Sequence, residues 1–172
     1  MKKLQIQMNG RSDEFGTPLI AFNILKPYIP DHWIVWECAY GKGSLAKIME
    51  TQGYSVVSSS NFFKDDKECN VIITNPPYSL KEDFLERAYS LNRPFAFLMP
   101  LTALEGKKRG LLYKKYGIEL LIPNKRINFI TPSGKGSGSW FATAWFCWQL
   151  DLPKQLNFID LTPLLRIKDR DG

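Results

Sequence analysis

The chain has 172 residues, 44% of them hydrophobic and 23% charged, which is enough for one full core and too little for two ordinary domains. Its 23 Lys and Arg outweigh 17 Asp and Glu to give a formal charge of +6, permitting an anionic partner without identifying one. Cys38, Cys69 and Cys147 are odd in number and lack metal-ligand spacing, and no apolar run reaches membrane-spanning length; a disulfide scaffold, a metal site and a membrane protein are disfavoured, and a cytoplasmic setting is expected.

Residues 1–12 are polar, with Leu4, Ile6 and Met8 alternating as a short edge strand would. An acidic-aromatic loop follows, Asp13-Glu14-Phe15-Gly16-Thr17-Pro18, in which Thr17 reads as a helix N-cap and Pro18 as the first helical residue. Ile20, Ile24 and Leu25 give that helix its apolar stripe up to Pro27. His32 is the only histidine and reads as incidental, which weakens hydrolytic schemes that need a histidine base.

Ile34, Val35 and Trp36 form the first clear core strand, ending at Glu37. Cys38-Ala39-Tyr40-Gly41-Lys42-Gly43-Ser44 then turns into a helix carrying Leu45, Ile48 and Met49. A strand, a turn with two closely spaced glycines and a helix is the arrangement of a doubly wound nucleotide site. Glu37 is placed to order the loop amides or to receive a ligand's ammonium or hydroxyl. The Gly-Lys-Ser/Thr ending of a phosphate-cradling loop is missing, which disfavours nucleoside triphosphate hydrolysis. Gly53 ends the helix and Tyr54 to Val57 read as a second strand. An acidic residue soon after such a strand usually holds ribose hydroxyls; here Ser58, Ser59 and Ser60 stand in its place, followed by Asn61, Phe62 and Phe63. The two phenylalanines can flank an adenine ring or belong to the core.

Val71, Ile72 and Ile73 read as a short strand buried on both faces. The run stops at Asn75-Pro76-Pro77-Tyr78, because neither proline can donate a ladder hydrogen bond. The Asn75 side-chain oxygen and the Pro76 carbonyl are acceptors suited to an NH2 group with two hydrogens to give, and Tyr78 can stack on the ring that carries it. Ser79 reads as the cap of a helix reaching Asn92, and Phe95 to Met99 as an apolar strand ended by Pro100. A helix over 104–116 carries Lys107, Lys108 and Arg109, either a solvated face or a nucleic-acid footprint. Strands are expected over 118–122 and 126–130. The polar 131–139 loop reads either as an unconstrained hairpin connection or as an approach to a phosphate backbone through Lys135 and its glycine amides, and 140–148 reads as an aromatic-rich antiparallel strand. The chain beyond Leu150 fades into a charged tail. One domain over 1–172 is expected, with an N-terminal lid over 1–30 and a flexible tail over about 163–172.

In sum, Asn75-Pro76-Pro77-Tyr78 resembles the catalytic motif of S-adenosylmethionine-dependent amino-methyltransferases, most like the adenine-N6 branch and its small phage-type DNA enzymes. Trp36 to Gly43 resembles that family's cofactor loop, and Asp13 to Pro18 the segment that packs over the methionine end of the cofactor. The resemblance implies an α/β Rossmann-like methyltransferase fold, with a mostly parallel seven-stranded sheet whose last strand is antiparallel and helices on both faces. It implies S-adenosylmethionine as cofactor and methyl transfer to adenine N6 in DNA. Asn75, Pro76, Pro77 and Tyr78 would then be catalytic. Asp13, Phe15, Thr17, Glu37, Ala39, Tyr40, Gly41, Gly43, Ser59, Asn61 and Phe62 would bind cofactor, and Lys107, Lys108, Arg109 and Lys135 nucleic acid. RNA adenine, a protein glutamine amide, or a degenerate domain that only binds nucleic acid or a partner stay open as alternatives. With no obvious target-recognition domain, a specificity subunit or a homo-oligomer is also open. The family's acidic ribose ligand is absent, and Tyr40 replaces a smaller residue common in the loop.

Overall fold

The computed structural model describes residues 16–130 and 141–166. The strand expected around Leu4 to Met8, the site residues Asp13, Phe15 and Lys135, and the end of the tail lie outside the described residues. Seven strands form one sheet: β1 (Ile34–Glu37), β2 (Ser55–Ser58), β3 (Val71–Thr74), β4 (Phe95–Pro100), β5 (Glu119–Pro123), β6 (Thr143–Trp148) and β7 (Leu156–Ile159). Their spatial order is β2-β1-β3-β4-β6-β5-β7. Six strands run parallel, and β6 lies antiparallel between β4 and β5. This is the expected Rossmann-like, mostly parallel sheet, with the reversal on the sixth strand and the last strand parallel to β5.

Helices cover both faces because successive strand residues point to opposite sides. Val35, Val71, Ile73, Leu98 and Trp145 face α1 (Leu19–Leu25) and α2 (Ser44–Thr51). On the other face, Trp36, Ile72, Phe97 and Phe146 meet α3 (Lys81–Leu91) and α4 (Lys107–Tyr116). All four residues of β3 are buried, as the β-branched run requires of a strand covered on both faces. A short α5 (Thr162–Arg166) closes the described chain.

Local signals ended the helices much as expected. Gly53, at φ +96°, follows α2, with its N–H donating to the Glu50 carbonyl at 2.9 Å and the Tyr54 N–H to the Met49 carbonyl at 3.1 Å. That is a Schellman closure, which needs a left-handed residue where glycine pays no steric penalty. Asn92, at φ 52°, closes α3.

Four local readings are corrected. Pro18, not Thr17, is the N-cap of α1, and no side chain caps that helix. Ser79 lies in a 3-10 turn, Tyr78–Leu80, and α3 starts uncapped at Lys81. The 126–130 segment joins no ladder; Ile130 alone bridges Gly16, while Ile127 and Phe129 turn into the core. Strand β7 went unforeseen because its polarity is inverted: Phe158 is 75% exposed and Asn157 is buried. Asn157 is satisfied there, its Nδ2 donating to the Leu120 and Lys154 carbonyls at 3.0 and 2.7 Å.

Candidate active site

Strand order reverses at β1 and β3: α2 leads from β1 to β2 on one side, and the chain then crosses back to β3 on the other. The crevice at the carboxyl ends of such strands is where open α/β sheets bind ligands. Glu37 ends β1 and Asn75 follows β3, so the two motifs singled out in the sequence meet at this point.

Glu37 is 2% exposed. Its Oε1 accepts the Ala39 N–H at 3.0 Å and the Thr74 hydroxyl at 2.5 Å, tying the glycine loop to both strand tips. Burial pushes its carboxyl up to about 8, against the opposing pull of the Thr74 and Ala39 bonds. The neighbouring Cys38 is buried, and desolvation followed by Glu37 holds its thiol well above the usual range, so it is no thiolate nucleophile.

The loop itself is built on glycine. Gly41 and Gly43 adopt φ +54° and +79°, and a Cβ on Gly43 would lie 2.5 Å from the Tyr40 hydroxyl. Tyr40 therefore folds back over the loop in space that only a glycine leaves open. Gly43→Ala is expected to lower stability by about 1–2 kcal/mol, from the left-handed backbone and the displaced ring together. Denaturant unfolding of the two proteins side by side measures it.

Thr17 joins this site from the α1 side. Two bonds between Gly16 and Ile130, 2.8 and 3.0 Å, hold the approach to α1. The Thr17 N–H then donates to Ser44 Oγ at 3.1 Å, and its hydroxyl accepts Asn75 Nδ2 at 3.4 Å. With Nδ2 so directed, Asn75 Oδ1 is buried and has no hydrogen-bond partner. A buried acceptor left empty is unfavourable by roughly 1–3 kcal/mol. Such an atom calls for a partner from outside the chain, a ligand group or an ordered water. Pro76 and Pro77 are buried behind it, and Tyr78 meets Phe141 edge to face at 5.7 Å and 71°.

Other candidates are placed differently. Ser59 Oγ accepts the Trp36 indole N–H at 2.8 Å, so this hydroxyl serves the sheet underneath the loop. Phe62 is 1% exposed and packs on Trp36, Phe84 and Phe97, as the core reading of this ring has it. Asn61 is half-buried and starts the turn that its carbonyl closes with Lys64 and Asp65. Arg109 is engaged within the chain. Its guanidinium binds Glu82 at 2.6 Å and the carbonyls of Ala103 and Glu105, pinning α4 to α3 and to the turn before it. Lys108 pairs with Glu86 at 3.0 Å on the surface, and Lys107 is exposed. Thr74, Ser44 and Phe141 belong to the site without having been singled out. Thr74 sat inside an apolar run, and the others gain meaning only from what they touch.

Among the described residues no cluster of His, Cys, Asp or Glu is arranged to hold a metal ion, and no helix is long and apolar enough to cross a membrane.

No family model and no curated protein sequence matches the chain. Solved structures do. A modification subunit assigned to a type I restriction enzyme of Vibrio vulnificus YJ016 superimposes with a TM-score of 0.53 at 12% identity, over 90% of this chain and 48% of that one. A structure of a type I R-M system gives 0.52 at 12%, over 89% and 46%. The chain thus spans a little under half of each. The ribosomal protein L11 methylase of Lactobacillus delbrueckii subsp. bulgaricus gives 0.47 at 12%, over 74% and 75%. The fold is that of the S-adenosylmethionine-dependent methyltransferases.

Proposed function

We propose that the chain transfers a methyl group from S-adenosylmethionine to the N6 amine of adenine in DNA. The observation that carries this reading is the empty, buried Asn75 Oδ1 at the β3 tip, one strand from the Glu37 loop. An acceptor without a donor, followed directly by a proline carbonyl, suits an incoming NH2.

The residues fit the cofactor on its methionine side and less well at its ribose. Gly41 leaves the backbone approachable, while Tyr40 covers Gly43, and Thr17 and Ser44 bring polar atoms beside the loop. No acidic side chain directly follows β2, and the Ser59 hydroxyl already accepts from Trp36. A missing charge-assisted bond is expected to weaken cofactor binding roughly tenfold to a hundredfold. When bound, S-adenosylmethionine supplies an electrophilic methyl group.

The chain's own part is orientation. Asn75 Oδ1 and the Pro76 carbonyl receive the two N–H bonds of the target amine, which turns its lone pair out of conjugation with the ring. Tyr78 and Phe141 are in ring contact, so an entering base replaces that contact with stacking on their faces. Glu37 acts one step back, holding the loop amide and Thr74; among the described residues no side chain is placed as a base for the amine proton, which passes to water. The exposed Lys107 lies in the first turn of α4, which follows the carboxyl end of β4, and that position supports its reading as a phosphate contact. A modification subunit among the fold neighbours is in keeping with a DNA target.

The test is incubation of DNA, RNA and protein fractions with methyl-labelled cofactor. Label in DNA, recovered as N6-methyladenine, is expected. Label confined to RNA or protein redirects the substrate, and no label in any fraction overturns the reading.

A further inference from the structure

Asn75 Oδ1 is not alone. Thr143 Oγ1 is the other buried side-chain polar atom without a hydrogen-bond partner among the described residues. Thr143 is 2% exposed, at a β-branched position where valine has the same shape and no orphaned hydroxyl. Resting on the function proposed above, we propose that the Thr143 hydroxyl is a second contact to the target, donating to a ring nitrogen of a purine whose amine is held by Asn75.

Placement supports this. Thr143 begins β6 opposite Pro100, at the carboxyl end of β4, so it lies on the same edge of the sheet as the β3 tip. It alternates with Trp145 and Cys147, which face the α1 and α2 core, and Asn75 alternates with Val71 and Ile73, which face the same core. The two orphaned atoms therefore stand on one side of the sheet. Phe141, two residues before Thr143, touches Tyr78, three residues after Asn75, so the two rings bridge the strand between them.

Spacing selects the substrate class. One strand separates the two positions, two strand spacings or about 10 Å, and Thr74 pairs with Phe97 while Thr143 pairs with Pro100, a further offset of about 7 Å along the strands. A carboxamide carries its donor and acceptor on one carbon, a shorter reach than an amine and a ring nitrogen on opposite sides of a purine's six-membered ring. Adenine N3 is that nitrogen, an acceptor across the ring from N6, and a hydroxyl is the donor it needs. That longer reach favours a purine over the glutamine-amide alternative.

The experiment compares wild type, Thr143→Val and Thr143→Ser on oligonucleotides containing adenine or 3-deazaadenine, with thermal melts and calorimetric cofactor binding alongside. Wild type is expected to prefer adenine about tenfold to a hundredfold. Thr143→Val should lose that preference while binding cofactor normally and melting no lower, and Thr143→Ser should keep it. If wild type methylates both oligonucleotides equally, or if Thr143→Val slows both by the same factor, the assignment is overturned and the proposed function stands. If wild type methylates neither while label enters RNA or protein, or nothing at all, the proposed function falls and this assignment with it.

Discussion

Asn75→Ala is expected to lower methyl transfer by about 100- to 1,000-fold, the effect of removing one preorganised hydrogen-bonding group from a developing charge. Stability should move the other way or not at all. The side chain's one recorded bond, to Thr17, is long at 3.4 Å, and its Oδ1 is already unpartnered. Deleting an orphaned buried carbonyl relieves the cost of burying it. Single-turnover rates with labelled cofactor, set beside thermal melts, separate the two effects. An Asn75→Ala protein that turns over at the wild-type rate removes the amine-holding role. One that unfolds instead would make Asn75 a structural residue of the corner. Cofactor affinity should stay within a few-fold in either protein, since the groups placed to hold the cofactor lie on the Glu37 side of the crevice.

The second large effect is on stability, and it is set by Glu37. Its carboxyl titrates near 8 in the folded protein against an ordinary value of 4.5. Below 4.5 both folded and unfolded states are protonated, and the group contributes nothing that changes with pH. Between 4.5 and 8 the unfolded chain ionises while the native site keeps its proton, so the native state binds more protons and stability falls as pH rises. The slope approaches about 1.4 kcal/mol per pH unit and levels off above 8. Urea unfolding at pH 5, 7 and 9 should show this decline in the wild type and a shallower one in Glu37→Gln, which keeps an acceptor for Ala39 and Thr74 without a charge to bury. The variant should therefore become the more stable of the two above pH 8. A wild-type profile that rises from pH 5 to 9 contradicts the protonated native carboxyl.

The corner at Asn75 and the loop after Glu37 were legible because their information is local. Three β-branched residues followed by an asparagine and two prolines leave the chain little choice but a buried strand that stops, and two glycines with positive φ suit one kind of turn. The polar side chains around them were not legible in the same way. Thr17 has the form of a helix cap, and its hydroxyl instead meets Asn75, 58 residues away. Ser59 stands where a ribose ligand belongs, and Trp36, 23 residues back, takes its hydroxyl. Arg109 looked like part of a basic face until Glu82, 27 residues earlier, drew it inward. Each of these residues offers the same donors and acceptors to any partner, and only the register of the packed elements chooses one.

Strand β7 and Thr143 make the same point from the sheet. The alternation in Leu156-Asn157-Phe158 predicts nothing useful once the apolar residues face outward and the amide faces in. A threonine at the head of an aromatic strand looks like any other β-branched residue until the ladder places it opposite Pro100. What the amino-acid sequence determined by itself was the periodic and the abrupt: three-layer α/β architecture, the glycine turn and the proline stop. Those arise from backbone sterics and hydrophobic alternation within about ten residues. The tertiary structure alone decided which polar atoms are satisfied and which are left empty, because a hydrogen bond depends on where two distant segments come to rest.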